Sequence, residues 1–374
     1  MKPSSSPRLL SLDVFRGITV MAMILVNNPG DWGHIYAPLE HAHWNGCTPT
    51  DLVFPFFLFI MGVSIVYAME TKKATAYNHG QLLVKALRRS AIIFGLGLFM
   101  STFWEWDLST IRIPGVLQRI ALVYLVCSCI YVKTGYRMQL ILLGLILIGY
   151  YLLMTVVPVP GYGPANLQPE TNLGAWLDRT LIGTAHLWKE SKTWDPEGLL
   201  STLPAVGTGL LGILTGAWLK RHDKSNQTKV YAMLGAGVVL AALGLLWNMW
   251  FPINKSLWTS SYVLFAGGLA ILSLAFCYWI IDVQRYSRFT RPFVVYGVNA
   301  ITVFVGSGLI ARSMNKIQID FQGNEVSLSS ALYETFFNPY FSPINASLAW
   351  AISFVLVWMI ILWIMYNRGI LIKI

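Results

Sequence analysis

Long uninterrupted apolar runs dominate the chain, and nothing constrains its fold more. Ten can be marked, at about 9–27, 52–69, 84–103, 115–132, 138–158, 199–219, 230–251, 258–281, 292–311 and 347–366. Each approaches the roughly 20 apolar residues that a helix needs to cross a bilayer. Charged residues make up only 12% of the chain, against about 25% in soluble domains. That excludes an ordinary soluble enzyme, a disordered chain and a disulfide-stapled secreted domain. The expected fold is an all-α polytopic membrane protein. It is a single bundle of about ten transmembrane helices over residues 1–374, with polar loops at 28–50, 159–198 and 312–346.

The charges then set an orientation. With the N-terminus inside and ten spans, 19 of the 27 basic residues fall on the cytoplasmic side, Lys2, Arg8, Arg88, Arg89 and Lys373 among them. Only eight fall outside, and the three long polar loops, which hold most of the acids, are external. Lys/Arg bias in short loops predicts N-in, C-in. The net charge of +10 is thereby explained as topology, with no nucleic-acid partner required. The basic N-terminus and the apolar run after it resemble a signal peptide. However, Asp13 and Arg16 interrupt the run, and it ends at Asn27-Asn28-Pro29 without a small-residue cleavage site. It reads as a retained first helix. Cys127, Cys129 and Cys277 lie inside apolar runs, so no disulfide framework is expected.

Ionisable groups within spans are costly and mark either sites or pairs. Asp13 and Arg16 lie at i, i+3 on one face. This spacing fits an ion pair, with Arg16 snorkelling to the interface, and equally a phosphate grip. Asn27 ends the same helix and reads as its C-terminal cap. Thr50 or Asp51 reads as an N-cap of the second helix. Arg119, one turn inside the fourth helix, is expected to pair with an acid from another element. Asp195 reads as the N-cap of the 199–219 helix, with Pro196 in its first turn and Glu197 at its positive end and also suited to a cationic amine. Trp258 suits an interfacial belt, and Asn299 inside the ninth span needs a polar partner. His41 in its polar loop is either a surface histidine or a general base near neutral pH. His41 and His43 lack a second His or Cys cluster, so no metal site is expected. Lys85, Arg88 and Arg89 anchor the third helix or cradle an anionic cofactor. These features fit either a membrane transferase or a secondary transporter of an amino sugar or peptide.

The ordered segments carry a further likeness. They are Ser11-Leu-Asp-Val-Phe-Arg-Gly17, Val26-Asn27, His41-Ala-His-Trp-Asn-Gly46, Asp51-Leu-Val-Phe-Pro55, Arg112-Ile-Pro-Gly-Val-Leu-Gln-Arg119, Asp195-Pro-Glu-Gly198, Pro252-Ile-Asn-Lys-Ser-Leu-Trp258 and Gly297-Val-Asn299. Together they resemble the heparan-α-glucosaminide N-acetyltransferase family. The likeness runs through the whole chain. The animal lysosomal enzyme has an additional luminal domain and an extra N-terminal helix. This chain resembles the shorter bacterial form, which implies the bacterial inner membrane.

The resemblance implies acetyl transfer from cytosolic acetyl-CoA to an amino sugar of glucosamine type on the other side. It places the active-site histidine at His41 and the active-site asparagine at Asn27, and does not extend catalysis to His43. It implies His41 as general base or acetyl carrier and Asn27 as a donor to the oxyanion. The sugar end is expected at Asn45, Asp51 and Glu197, and the CoA phosphates at Arg16, Arg88 and Arg89. It also implies a homodimer. An O-acyltransferase acting on envelope polysaccharide is a third reading.

Overall fold

The structure is a computed structural model that describes residues 9–73 and 79–372. Lys2, Arg8 and Lys373, counted above for orientation, lie outside the described residues. All ten apolar runs fall on helices. Among the described residues, eight helices are long and apolar enough to cross a membrane, or nine with a bent pair taken as one span. The third run lies on a 24-residue helix carrying Lys85, Arg88 and Arg89. The protein is an all-α polytopic membrane protein whose described residues form two compact units.

The first unit comprises residues 9–40, 223–235 and 271–372. In it α1 (Leu10–Asn27) packs on α10 (Arg291–Val298). A Cβ at Gly17 would fall on the Phe293 carbonyl, and one at Gly297 on the Asp13 carbonyl. Small residues let membrane helices approach this closely. The predicted span 292–311 is not one helix. α10 stops at Val298 and α11 (Ala300–Lys316) leaves at 77°. Asn299 therefore sits in the break rather than inside a helix, buried, with its Oδ1 accepting the Ile372 N–H at 3.4 Å. The expected loop 312–346 is also more ordered than its polarity suggested. β1 (Gln318–Phe321) and β2 (Asn324–Ser327) form a hairpin. Gln322 and Gly323 both have positive φ, as a tight two-residue hairpin turn requires. α12 (Leu328–Phe336) follows, with the Ser327 side chain accepting the Ser330 N–H as N-cap. α13 (Pro343–Asn367) completes the unit, and its Val355 carbonyl accepts the Tyr296 hydroxyl at 2.6 Å.

The second unit comprises residues 41–222 and 236–270. It holds α2 (Val53–Lys73), α3 (His79–Thr102), α4 (Val116–Lys133), α5 (Tyr136–Val156), the short α6 (Leu173–Leu181) and α7 (Leu199–Leu219). α8 (Asn226–Trp247) and α9 (Ser260–Tyr278) contribute to both units. α7 is apolar and buried along most of its length, as a helix surrounded by others must be. Its close neighbour is α2, where Gly62 lies under the Gly209 carbonyl and Gly212 under the Phe59 carbonyl.

These backbone approaches leave no room for a side chain. Gly212→Val should destabilise the protein by about 1–3 kcal/mol through overpacking. Gly144→Val on α5, where a Cβ meets nothing within 4 Å, should leave the melting temperature unchanged. Thermal unfolding of the two variants in detergent checks this.

Candidate active site

The site of the second unit is built on Asp51. The chain enters α2 through a 3-10 turn, Thr50–Leu52. Asp51 does not cap that helix but turns back into the preceding loop. Its Oδ2 accepts the Ala42 N–H at 3.1 Å, the Thr48 N–H at 3.0 Å and the Thr48 hydroxyl at 3.1 Å. Its Oδ1 stands 2.7 Å from His41 Nδ1. The carboxylate is 1% exposed, whereas the His41 ring is half exposed. An ionised carboxylate only accepts hydrogen bonds. His41 Nδ1 is therefore the donor to Asp51, and in the neutral ring the lone pair is left on Nε2. The Tyr262 hydroxyl fixes the same turn by donating to the Asp51 carbonyl at 2.5 Å.

A second loop, between α8 and α9, closes over the dyad. Gly46 N–H donates to the Ile253 carbonyl at 2.7 Å, and Asn254 Nδ2 donates to Asn45 Oδ1 at 3.2 Å. The buried Asn254 side chain also accepts the Leu257 N–H at 2.8 Å. This loop delivers Lys255, whose Nζ lies 3.1 Å from His41 Nδ1, 3.4 Å from Nε2 and 3.6 Å from Asp51 Oδ1. Burial lowers the lysine's hold on its proton, against the pull of Asp51 and Glu197. Burial also pushes the nearby Cys47 thiol up to about 12, with Asp51 adding to the effect. At neutral pH Cys47 is thus protonated and a poor nucleophile.

Trp258 ends the loop in the core, not in an interfacial belt. It is 1% exposed with φ +52, and its Nε1 donates to Thr208 Oγ1 at 3.1 Å. Its ring lies 5.1 Å from the Arg119 guanidinium. Arg119 does not pair with an acid as expected. It donates to the Gly198 carbonyl at 3.0 Å and to the Ser201 hydroxyl. The acids are taken by Arg112 instead. Arg112 Nε and Nη2 grip Asp195 at 2.9 and 2.6 Å, and Nη2 also reaches Glu197 at 2.6 Å. Arg112 lies outside the apolar run, where its charge costs less.

The start of α7 differs from expectation in the same way. Asp195 is not its cap; Gly198 holds the N-cap position, and Asp178 Oδ1 accepts the Leu199 N–H at 2.8 Å. Burial raises the Asp178 carboxyl to about 7.

Asn45 is exposed and joined to Asn254, and Glu197 is tied to Arg112. Arg88 is exposed on α3, and Arg89 lies 4.9 Å from the Tyr124 ring. In the first unit, Arg16 forms the expected ion pair with Asp13 at 3.0 Å. The cap of α1 is made by Asn28, whose Nδ2 donates to the Ile24 carbonyl at 2.8 Å. Asn27 is left exposed at the helix end. Among the described residues no three His, Cys, Asp or Glu side chains gather as a metal set. Sequence reasoning missed Lys255, Asn254 and Arg112. The one available signal was their presence in the quoted segments, since a lysine before a span reads as an anchor.

A raised carboxyl makes stability depend on pH. Asp178 binds its proton more tightly folded than unfolded. Its contribution is therefore full below the ordinary value of 3.8 and is lost as pH rises through about 7. The melting temperature should fall over that window, and Asp178→Asn should flatten this component. Melting curves of both proteins between these pH values check it.

The sequence model described as the catalytic part of heparan-alpha-glucosaminide N-acetyltransferase matches residues 8–246. The chain is 31% identical to the Homo sapiens heparan-alpha-glucosaminide N-acetyltransferase over 355 residues, covering 80% of this chain and 52% of that protein. Against the Mus musculus protein it is 32% identical over 359 residues, covering 81% and 54%. The chain thus spans about half the length of the curated relatives it matches. With most of its length matched by the family's catalytic part, this chain belongs to the heparan-alpha-glucosaminide N-acetyltransferase family.

Proposed function

We propose that the protein is a transmembrane N-acetyltransferase. It moves an acetyl group from cytosolic acetyl-CoA to the amine of a glucosamine-type sugar on the extracytoplasmic side. The observation that carries this reading is the His41–Asp51 pair at 2.7 Å, in a chain whose relatives are named as N-acetyltransferases.

An amine near neutral pH is mostly protonated and must lose a proton to attack a thioester. His41 Nε2 takes that proton while Asp51 holds the ring in one tautomer. In the two-step form of the reaction, Nε2 first accepts the acetyl group itself. The tetrahedral intermediate carries an oxyanion, and we assign Asn27 as its donor. Its exposed amide, released from capping by Asn28, supports this role. We assign the sugar end to Asn45, Asp51 and Glu197, the last acting together with Arg112. The CoA phosphates fall to Arg16, Arg88 and Arg89. The orientation is N-in, C-in, in a bacterial inner membrane, and the assembly is a homodimer.

Purified protein given acetyl-CoA and glucosamine should form N-acetylglucosamine. His41→Ala should lower kcat by about 10²–10⁴-fold, the usual contribution of general acid–base catalysis. Asp51→Asn should also lower kcat and raise KM for glucosamine. No product from the wild type, or an unchanged rate in His41→Ala, overturns the reading. Counterflow of labelled glucosamine without acetyl-CoA would replace it with the transporter.

A further inference from the structure

The site already contains a primary amine. Lys255 Nζ stands over the His41 ring, 3.1 Å from Nδ1 and 3.4 Å from Nε2, the ring nitrogen that Asp51 leaves unprotonated. An acceptor amine attacking under general-base catalysis must come equally close to that nitrogen. The lysine is held there by its loop: its carbonyl accepts the Trp258 N–H at 3.0 Å, and Asn254 beside it is locked to Asn45 and Leu257. Its side chain is 21% exposed, so it is enclosed but reachable. Burial weakens its hold on a proton, which favours the nucleophilic free amine. Cys47, the other nucleophile nearby, is kept as a thiol.

We propose that Lys255 is an internal acyl acceptor: with acetyl-CoA bound and no amino sugar present, the site acetylates Lys255 Nζ and closes itself. This rests on the acetyltransferase reading above. The Lys255 ammonium gives one proton to His41 Nε2. The freed lone pair attacks the thioester carbonyl, a C–N bond forms and the C–S bond breaks. The thiolate leaves and takes the proton held on His41 Nε2 to become CoA thiol, while the second amine proton departs to solvent. Thioester and ammonium thus become amide, thiol and one proton. If the acetyl group first rests on Nε2, the same amine receives it from there. The product amide is neutral. It no longer offsets Asp51, and its acetyl group occupies the place of the acceptor beside Nε2. A bound amino sugar competes for the same position and protects the lysine.

The test uses the full-length protein in detergent with labelled acetyl-CoA and no sugar, followed by peptide mass spectrometry. An Nε-acetyllysine survives hydroxylamine, whereas an acetyl-imidazole does not, so the two adducts are separable. The expected result is hydroxylamine-resistant acetylation of Lys255, faster than that of Lys189, whose side chain is 69% exposed. The label should be lost in His41→Ala and in the isosteric His41→Gln, and suppressed by glucosamine. Lys255→Arg should remove the label at that position. Labelling no faster than at Lys189, or equal in the His41 variants, is ordinary chemical acetylation and overturns the proposal. An unmodified Lys255 in protein that forms N-acetylglucosamine overturns it and leaves the parent reading standing. His41-dependent labelling without sugar product supports the proposal and sinks the sugar reading. Neither label nor product sinks both.

Discussion

Asp51 is a carboxylate almost fully removed from water, and the candidate-site loop of its unit is organised around the cost of burying it. Such a charge persists only when its lone pairs are taken up. Here two backbone N–H groups, a hydroxyl, an imidazole and a lysine ammonium meet that need. The partners come from His41, Ala42, Thr48 and Lys255, so the same bonds that satisfy the charge also fix the loop. They orient the imidazole, set its tautomer and draw in a second loop from 200 residues further along the chain. The candidate site and the loop's structure share one network, and replacing a member removes one of the partners of a buried carboxylate.

The same physics distributes the other charges. Arg112, at the edge of the apolar run, takes both Asp195 and Glu197. Arg119, seven residues deeper, is served by a carbonyl, a hydroxyl and the face of Trp258. In sequence only Arg119 stood out, because it lies a turn inside the apolar run. Which of them meets the acids is decided in the packed structure, where Arg119 bonds Gly198 and Ser201 of the same segment instead. Helix packing follows a parallel rule. Gly62 and Gly212 in one unit, and Gly17 and Gly297 in the other, allow backbones to meet where lipid supplies no hydrophobic drive.

Part of the candidate site lies within short range in the sequence, although Asp51 read there as a cap or a sugar contact and not as the partner of His41. The two are ten positions apart in one polar loop. Lys255 was not legible, because positive charge before a span has an ordinary explanation in membrane anchoring. Capping assignments failed at single-residue resolution: Asn28 rather than Asn27 ends α1, and Asp178 rather than Asp195 serves α7. Adjacent or similar residues differ there only in the direction their side chains take. The break at Asn299 and the hairpin 318–327 escaped because both are short, and their polarity is equally that of a loop.

The sequence by itself determined the class of the protein, the position of its spans and its family. Apolar length is counted along the chain, and ordered motifs survive where single ones are ambiguous. The tertiary structure alone decided which polar groups share a contact. It joined Lys255 and Asn254 to the His41 loop, gave the acids to Arg112, sank Trp258 into the core and bent the ninth span by 77°. The physical reason is range. Hydrophobic burial acts through local pattern and is written in consecutive residues, whereas a buried charge takes the nearest partners in space, from any part of the chain.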